Sequence, residues 1–248
     1  MKIAERDNFT SQWKKYFDGA ELPICFYYTD EQGRAETALH SGGHTCIIAD
    51  LNRVRRGRPL CFNGDAIGCF GGKRYLGFAQ KIVPNFEYFL SFGIPGKLEG
   101  ERYKKSPELV HRVMEFQHTF KAPGRYIIFK RWDQLDESDE PQVVIFIARP
   151  DVLAGLFTLA NFDQEEPDGV IAPFGSGCSS IVYHPYFQIE SSRPRAVMGM
   201  FDISARPYVA KDEISFAVPM CKFRTMADNM DESFLITGSW KKVQKRIG

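Results

Sequence analysis

No stretch of the chain approaches the roughly 18 consecutive apolar residues of a membrane-spanning helix. The N-terminal segment Met1-Lys2-Ile3-Ala4-Glu5-Arg6-Asp7 is polar and lacks the apolar centre of a secretory signal. These absences predict a cytoplasmic protein with no membrane partner. A dominant charge is missing as well: 32 Lys and Arg stand against 31 Asp and Glu, leaving a formal charge of +1. No long-range field draws the chain to nucleic acid, which is not expected as a partner. Low-complexity linkers are also lacking, so 1–248 is read as a single domain. A chain of that length buries enough apolar surface to need no disulfide or metal staple. Stability alone therefore explains none of the six cysteines. In a reducing compartment Cys25, Cys46, Cys61, Cys69, Cys178 and Cys221 are expected as free thiols, metal ligands or catalytic groups.

The remaining composition, 44% hydrophobic with 21 Phe, is that of a globular protein. Apolar spacing predicts helices over 6–18, 46–56, 106–117, 151–161, 221–230 and 239–246, with shorter ones near 73–79, 84–92 and 180–189. Runs rich in Ile, Val and Phe predict strands over 22–29, 59–63, 124–131, 142–148, 196–203 and 213–218. The strands 124–131 and 142–148 are expected to pair as a hairpin across the acidic turn 133–140. The fold class that follows is α+β, a mixed or antiparallel sheet flanked by helices. A weak echo joins the two halves: Gly68-Cys69 matches Gly177-Cys178, and the segment from Asp65 to Tyr75 resembles that from Asp202 to Tyr208.

The most suggestive loop is Ile67-Gly68-Cys69-Phe70-Gly71-Gly72, followed by Lys73 and Arg74. Glycines beside a thiol let the backbone approach a ligand closely. A helix starting there would offer free N–H groups and two cations to an anion, or lower the pKa of Cys69. The plainer reading is a tight turn with a buried thiol. A P-loop is excluded, because Ile67 stands where its first glycine belongs and Arg74 where its metal-binding Ser or Thr belongs. The second loop, Gly175-Ser176-Gly177-Cys178-Ser179-Ser180, does not complete a dinucleotide fingerprint.

Leu22-Pro23-Ile24, Cys69-Phe70-Gly71-Gly72 with Leu76-Gly77-Phe78 behind it, Ala148-Arg149-Pro150, Cys178 and Asp202-Ile203-Ser204-Ala205-Arg206 together resemble the family catalogued as domain of unknown function 169. The resemblance covers about residues 22–219, and Ser204 stands where that family usually has glycine. It implies a soluble prokaryotic protein without an established activity, and so supports the extent of the domain and not a mechanism.

Four readings of the site follow. The first is a small anionic ligand or cofactor held at the two Gly-Cys loops by Gly68, Cys69, Gly71, Gly72, Lys73, Arg74, Gly177, Cys178 and Arg206. The second is a redox or metal centre: Cys46, Cys61, Cys69 and Cys178, with His44 nearby, are soft ligands for zinc or an iron-sulfur cluster, although their spacing matches neither a zinc ribbon nor a ferredoxin. The third is thiol catalysis, with Cys69 or Cys178 as nucleophile, His44 or His184 as base and Asp65 or Asp202 orienting it. The fourth is a structural or assembly role, for which no residue speaks. Arg53, Arg55, Arg56 and Arg58 read chiefly as the solvated end of a helix, complementing its dipole, and alternatively as an anion clamp.

Overall fold

The computed structural model describes residues 1–33, 35–38 and 46–247. In chain order its regular elements are α1 (Ile3–Tyr16), β1 (Ile24–Thr29), β2 (Glu36–Thr37), α2 (Ile47–Arg55), β3 (Leu60–Phe62), α3 (Phe70–Tyr75), α4 (Phe86–Phe89), α5 (Pro107–Glu115), β4 (Tyr126–Arg131), β5 (Val143–Ala148), α6 (Pro150–Ala160), β6 (Val170–Ile171), α7 (His184–Phe187), β7 (Ala196–Gly199), β8 (Ile214–Pro219), α8 (Met220–Asp228) and α9 (Gly238–Gln244). The strands form one open sheet in the order β2-β3-β4-β1-β5-β8-β7-β6. It is mixed: β2 with β3 and β6 with β7 are parallel, and the other pairs are antiparallel.

The near-continuous apolar runs of β1, β4, β5 and β8 require cover on both faces. On one face Ile24, Phe26, Leu60, Phe62, Phe129, Ile145 and Ala217 pack beneath α2 and the helix around Ile181 and Val182. On the other, Val144, Phe146, Phe216 and Val218 meet α1, α6, α8 and α9. α1 lies on the second face through Phe9, Trp13 and Phe17, with Trp13 stacked on Phe17 at 4.3 Å. The α+β architecture expected from the sequence is therefore present, with helices on both sides of a mixed sheet.

Three local expectations differ. β4 and β5 do not form a hairpin, because β1 lies between them and pairs antiparallel with both. Trp132 and Leu135, both fully buried, pin the connection after β4 to the core and carry the chain past the width of β1. β7 stops at Gly199 instead of near 203, since Met200 takes φ +66° and turns the chain out of the sheet. α3 begins at Phe70 and not at Lys73, its first turn fixed by the Gly72 N–H donating to the Cys69 thiol at 3.5 Å.

The two halves share one connectivity. Strands β1 to β4 lie in the order 2-3-4-1, and β5 to β8 lie in the order 6-7-8-5, with β1 and β5 antiparallel at the centre. In each half a parallel pair is bridged by a helix, α2 between β2 and β3 and residues 177–187 between β6 and β7. The same connectivity on either side of a central antiparallel pair relates the halves by an approximate twofold normal to the sheet, which puts both bridging helices on one face. The sequence echo matched Gly68-Cys69 with Gly177-Cys178. By connectivity the partner of Cys178 is Cys46, since each opens a bridging helix.

Candidate functional site

The bridging helices and the connections after β3 and β7 meet on the face covered by α2. Cys46 is the N-cap of α2, Cys69 is the N-cap of α3, and Cys178 lies in the first turn of the 177–187 helix. That helix contains a π segment, Ser179–Tyr183, before α7, an irregularity common at functional sites. Gly177 explains how the elements come so close. A Cβ on it would stand 3.0 Å from Ala205 Cβ and Met200 Sδ and 3.3 Å from Ile48 Cγ1. Gly199 serves the same purpose further along, where a Cβ would fall 2.1 Å from Ser180. Tyr75 of α3 meets Tyr183 edge to face at 5.7 Å.

Asp202 completes the group from the connection after β7. Only 8% exposed, it accepts from the Gly177 N–H at 3.2 Å and from the Ser204 N–H and hydroxyl at 3.0 and 2.9 Å. The connection after β3 opens on a similar turn, in which Asn63 accepts from the N–H groups of Asp65 and Ala66.

Electrostatics tie these groups together. Burial pushes the Cys178 thiol well above its usual range, and the charges of Cys46, Cys69 and Asp202 push it further. Cys46 is raised by burial, partly offset by the Ile48 and Ala49 N–H groups facing its sulfur, and raised again by Cys69 and Asp202. Tyr75 is raised chiefly by burial, with Cys178 and Asp202 adding to it. The Gly72 N–H is thus taken by the Cys69 thiol and the Gly177 N–H by Asp202.

Other expected site residues are placed elsewhere. Cys61 lies in β3 on the opposite face of the sheet, packed with Tyr27 and Ile128, and burial raises it to about 11. Strand alternation put it there: Leu60 and Phe62 point to the face of the site, so Cys61 cannot. The proposed set Cys46, Cys61, Cys69 and Cys178 therefore does not meet. Cys25 is also on the far side, and Cys221 is exposed on α8. Among the described residues no group of three or more His, Cys, Asp or Glu closes around a single metal ion. The Arg206 guanidinium donates to the carbonyls of Ala210, Lys211 and Glu213, so it ties its own loop instead of facing a ligand.

Arg74 donates to the Gln80 carbonyl and lines a cavity of about 10 Å³ with Tyr75, Gln117 and Tyr183, room for one water. Lys73 lies in α3 and Gly68 just before it, while Gly71 sits beside the Cys69 sulfur. Asp65 is exposed. His184 stands beside Gly175, and burial lowers its pKa to about 4. His44, with the loop 41–45 expected around it, lies outside the described residues. In the arginine cluster Arg55 pairs with Glu213 and Glu21, and Arg53 with Glu36, in keeping with a helix end.

Sequence reasoning missed Tyr103. Its hydroxyl is buried near Asp202 and Ser204, where burial and then Asp202 raise its pKa and Ser204 offsets part of the rise, and its ring meets Phe174 at 6.3 Å. It sits in a loop rich in Gly and charge, where an aromatic was the one available signal.

A family model for domain of unknown function 169, described as uncharacterised ArCR, matches residues 14–229. No curated protein and no solved structure matches the chain.

Proposed function

We propose that this chain, which belongs to the domain of unknown function 169 family, binds a cofactor through the thiols of Cys46, Cys69 and Cys178, and that the cofactor is an iron-sulfur cluster. The observation that carries the reading is the set of three thiols brought to one place by three helix starts, beside a buried carboxylate. Burial and mutual repulsion oppose ionisation of Cys46 and Cys178, and a bound cation reverses that opposition, because metal binding displaces thiol protons. N–H groups directed at the sulfurs stabilise the resulting thiolates and tune a cluster's potential. The anionic-ligand reading has less support, because the buried Asp202 places a carboxylate beside the thiols.

The test is anaerobic reconstitution with ferrous iron and sulfide, read by visible absorbance. Wild type is expected to develop the broad charge-transfer bands of a cluster. Cys46→Ser, Cys69→Ser and Cys178→Ser should each lose most of that absorbance, while Cys25→Ser, Cys61→Ser and Cys221→Ser retain it. A colourless wild-type protein, or equal sensitivity to all six substitutions, would overturn the proposal.

A further inference from the structure

We infer that the start of α8 is a binding site for a phosphoryl group, held by the Lys222 ammonium and the N–H groups of Cys221 and Lys222. α8 packs through Met220, Phe223 and Met226 on the face of the sheet opposite the three thiols, so this site is separate from the one proposed above and does not depend on it.

Lys222 is a buried cation without an anion. Only 5% exposed, it is covered at least as well as Lys130, whose ammonium meets Asp139 at 2.7 Å. Among the described residues no hydrogen bond or ion pair engages the Lys222 ammonium, although buried lysines are ordinarily paired. Its place in the helix adds to the cost. It is the third residue of α8, where the helix dipole opposes a cation, and the geometry of a helix leans its stem towards that same end.

The N–H groups of this first turn are unclaimed by side chains. Pro219, the N-cap, offers no acceptor, and the turn carries no acidic residue. The Met220 N–H donates to the Gln142 carbonyl at 2.9 Å, while those of Cys221 and Lys222 have no acceptor within the helix. Cys221 is exposed, so the helix start is open to solvent.

The neighbouring charges favour an anion as well. Val197 of β7 lies opposite Ala217 of β8, and the same register carried two residues on sets Arg195 level with Pro219. Burial lowers the pKa of Lys222, Asp163 opposes the fall and Arg193 adds to it. The acids close by are committed elsewhere: Arg193 pairs with Glu166 and Asp168, and Arg195 reaches Asp168 at 3.5 Å. Asp163 accepts from Gln164 at 2.9 Å and forms no ion pair with Lys222. A phosphoryl group presents three acceptor oxygens to the ammonium and the two N–H groups, and a helix start joined to a cation is a common way to hold one.

Thermal unfolding of the whole chain, with inorganic phosphate as the probe and sodium chloride of equal ionic strength as the control, tests this. The wild-type Tm is expected to climb with phosphate, as it does for a ligand of the folded state, and not with chloride. Lys222→Met keeps the stem and removes the ammonium, so it should weaken phosphate binding at least about tenfold and, without phosphate, melt no lower than wild type. Phosphate should also slow the alkylation of Cys221 in wild type, a measurement that needs no variant. Tighter binding of glycerol 3-phosphate than of inorganic phosphate assigns the site to a phosphorylated molecule, and the reverse order to the free ion. A wild type indifferent to phosphate, or a Lys222→Met variant that responds as wild type does, overturns the proposal. So does a Lys222→Met variant that melts well below wild type in phosphate-free buffer, since the ammonium would then already have its partner within the fold.

Discussion

At the residue scale, glycines with opposite roles give opposite predictions. Gly199 admits the 177–187 helix against the sheet, and a methyl there overlaps Ser180 at 2.1 Å. Gly199→Ala is expected to cost about 1–3 kcal/mol through overpacking. At Gly238, the start of α9, an added methyl would meet nothing within 4 Å, so Gly238→Ala should instead add about 0.4–1 kcal/mol by restricting the unfolded chain. Urea denaturation of both variants checks the pair, and like signs would contradict the packing assigned to Gly199. His184 gives a pH dependence. Burial holds its pKa near 4 against an ordinary 6.5, so the fold prefers the neutral ring. Its contribution is complete above about pH 6.5 and is lost as pH falls towards 4, at most about 3 kcal/mol. His184→Gln should flatten the stability profile between those values, and an unchanged slope would remove His184 as its source.

At the scale of elements, packing decides what pattern alone could not. The six-residue strands were legible because Ile, Val and Phe crowd them, and α2, α5 and α6 because their apolar positions repeat at helical spacing. Strand partners were not legible. Nothing in 124–148 announces that β1 will enter between β4 and β5, since pairing over such separation is chosen by the whole core and not by the turn. The connection after β4 also holds a buried ion pair: Lys130 donates to Asp139 at 2.7 Å, and Asp139 is 1% exposed. Lys130→Met would leave that carboxylate buried without its cation and is expected to cost about 3–5 kcal/mol. Loss of under 1 kcal/mol in the same denaturation assay would mean that Tyr27 and the Asp136 N–H, which also bond Asp139, suffice for it.

At the scale of the molecule, one connectivity used twice brings residues 46, 69, 178 and 202 together. The sequence revealed the two Gly-Cys loops, because glycine beside cysteine is conspicuous; it matched Cys69 with Cys178 where connectivity pairs Cys178 with Cys46, while its other match, 65–75 with 202–208, joins the connections after the equivalent strands β3 and β7. Cys61 was grouped with Cys46 and Cys69 on sequence proximity, and the alternation of β3 sends it to the far face. Tyr103 was missed because its relation to Asp202 exists only across the fold. The sheet order explains both the success and the errors: β3 and β7 sit at equivalent places in the two halves, so the residues following them converge while neighbours in sequence part.

The most direct test of the central claim is site-resolved alkylation, read by mass spectrometry, of protein before and after loading with iron and sulfide under argon. The account predicts that loading protects Cys46, Cys69 and Cys178 together, while exposed Cys221 reacts equally in both forms. Unchanged labelling of Cys46 and Cys69 after loading would contradict it.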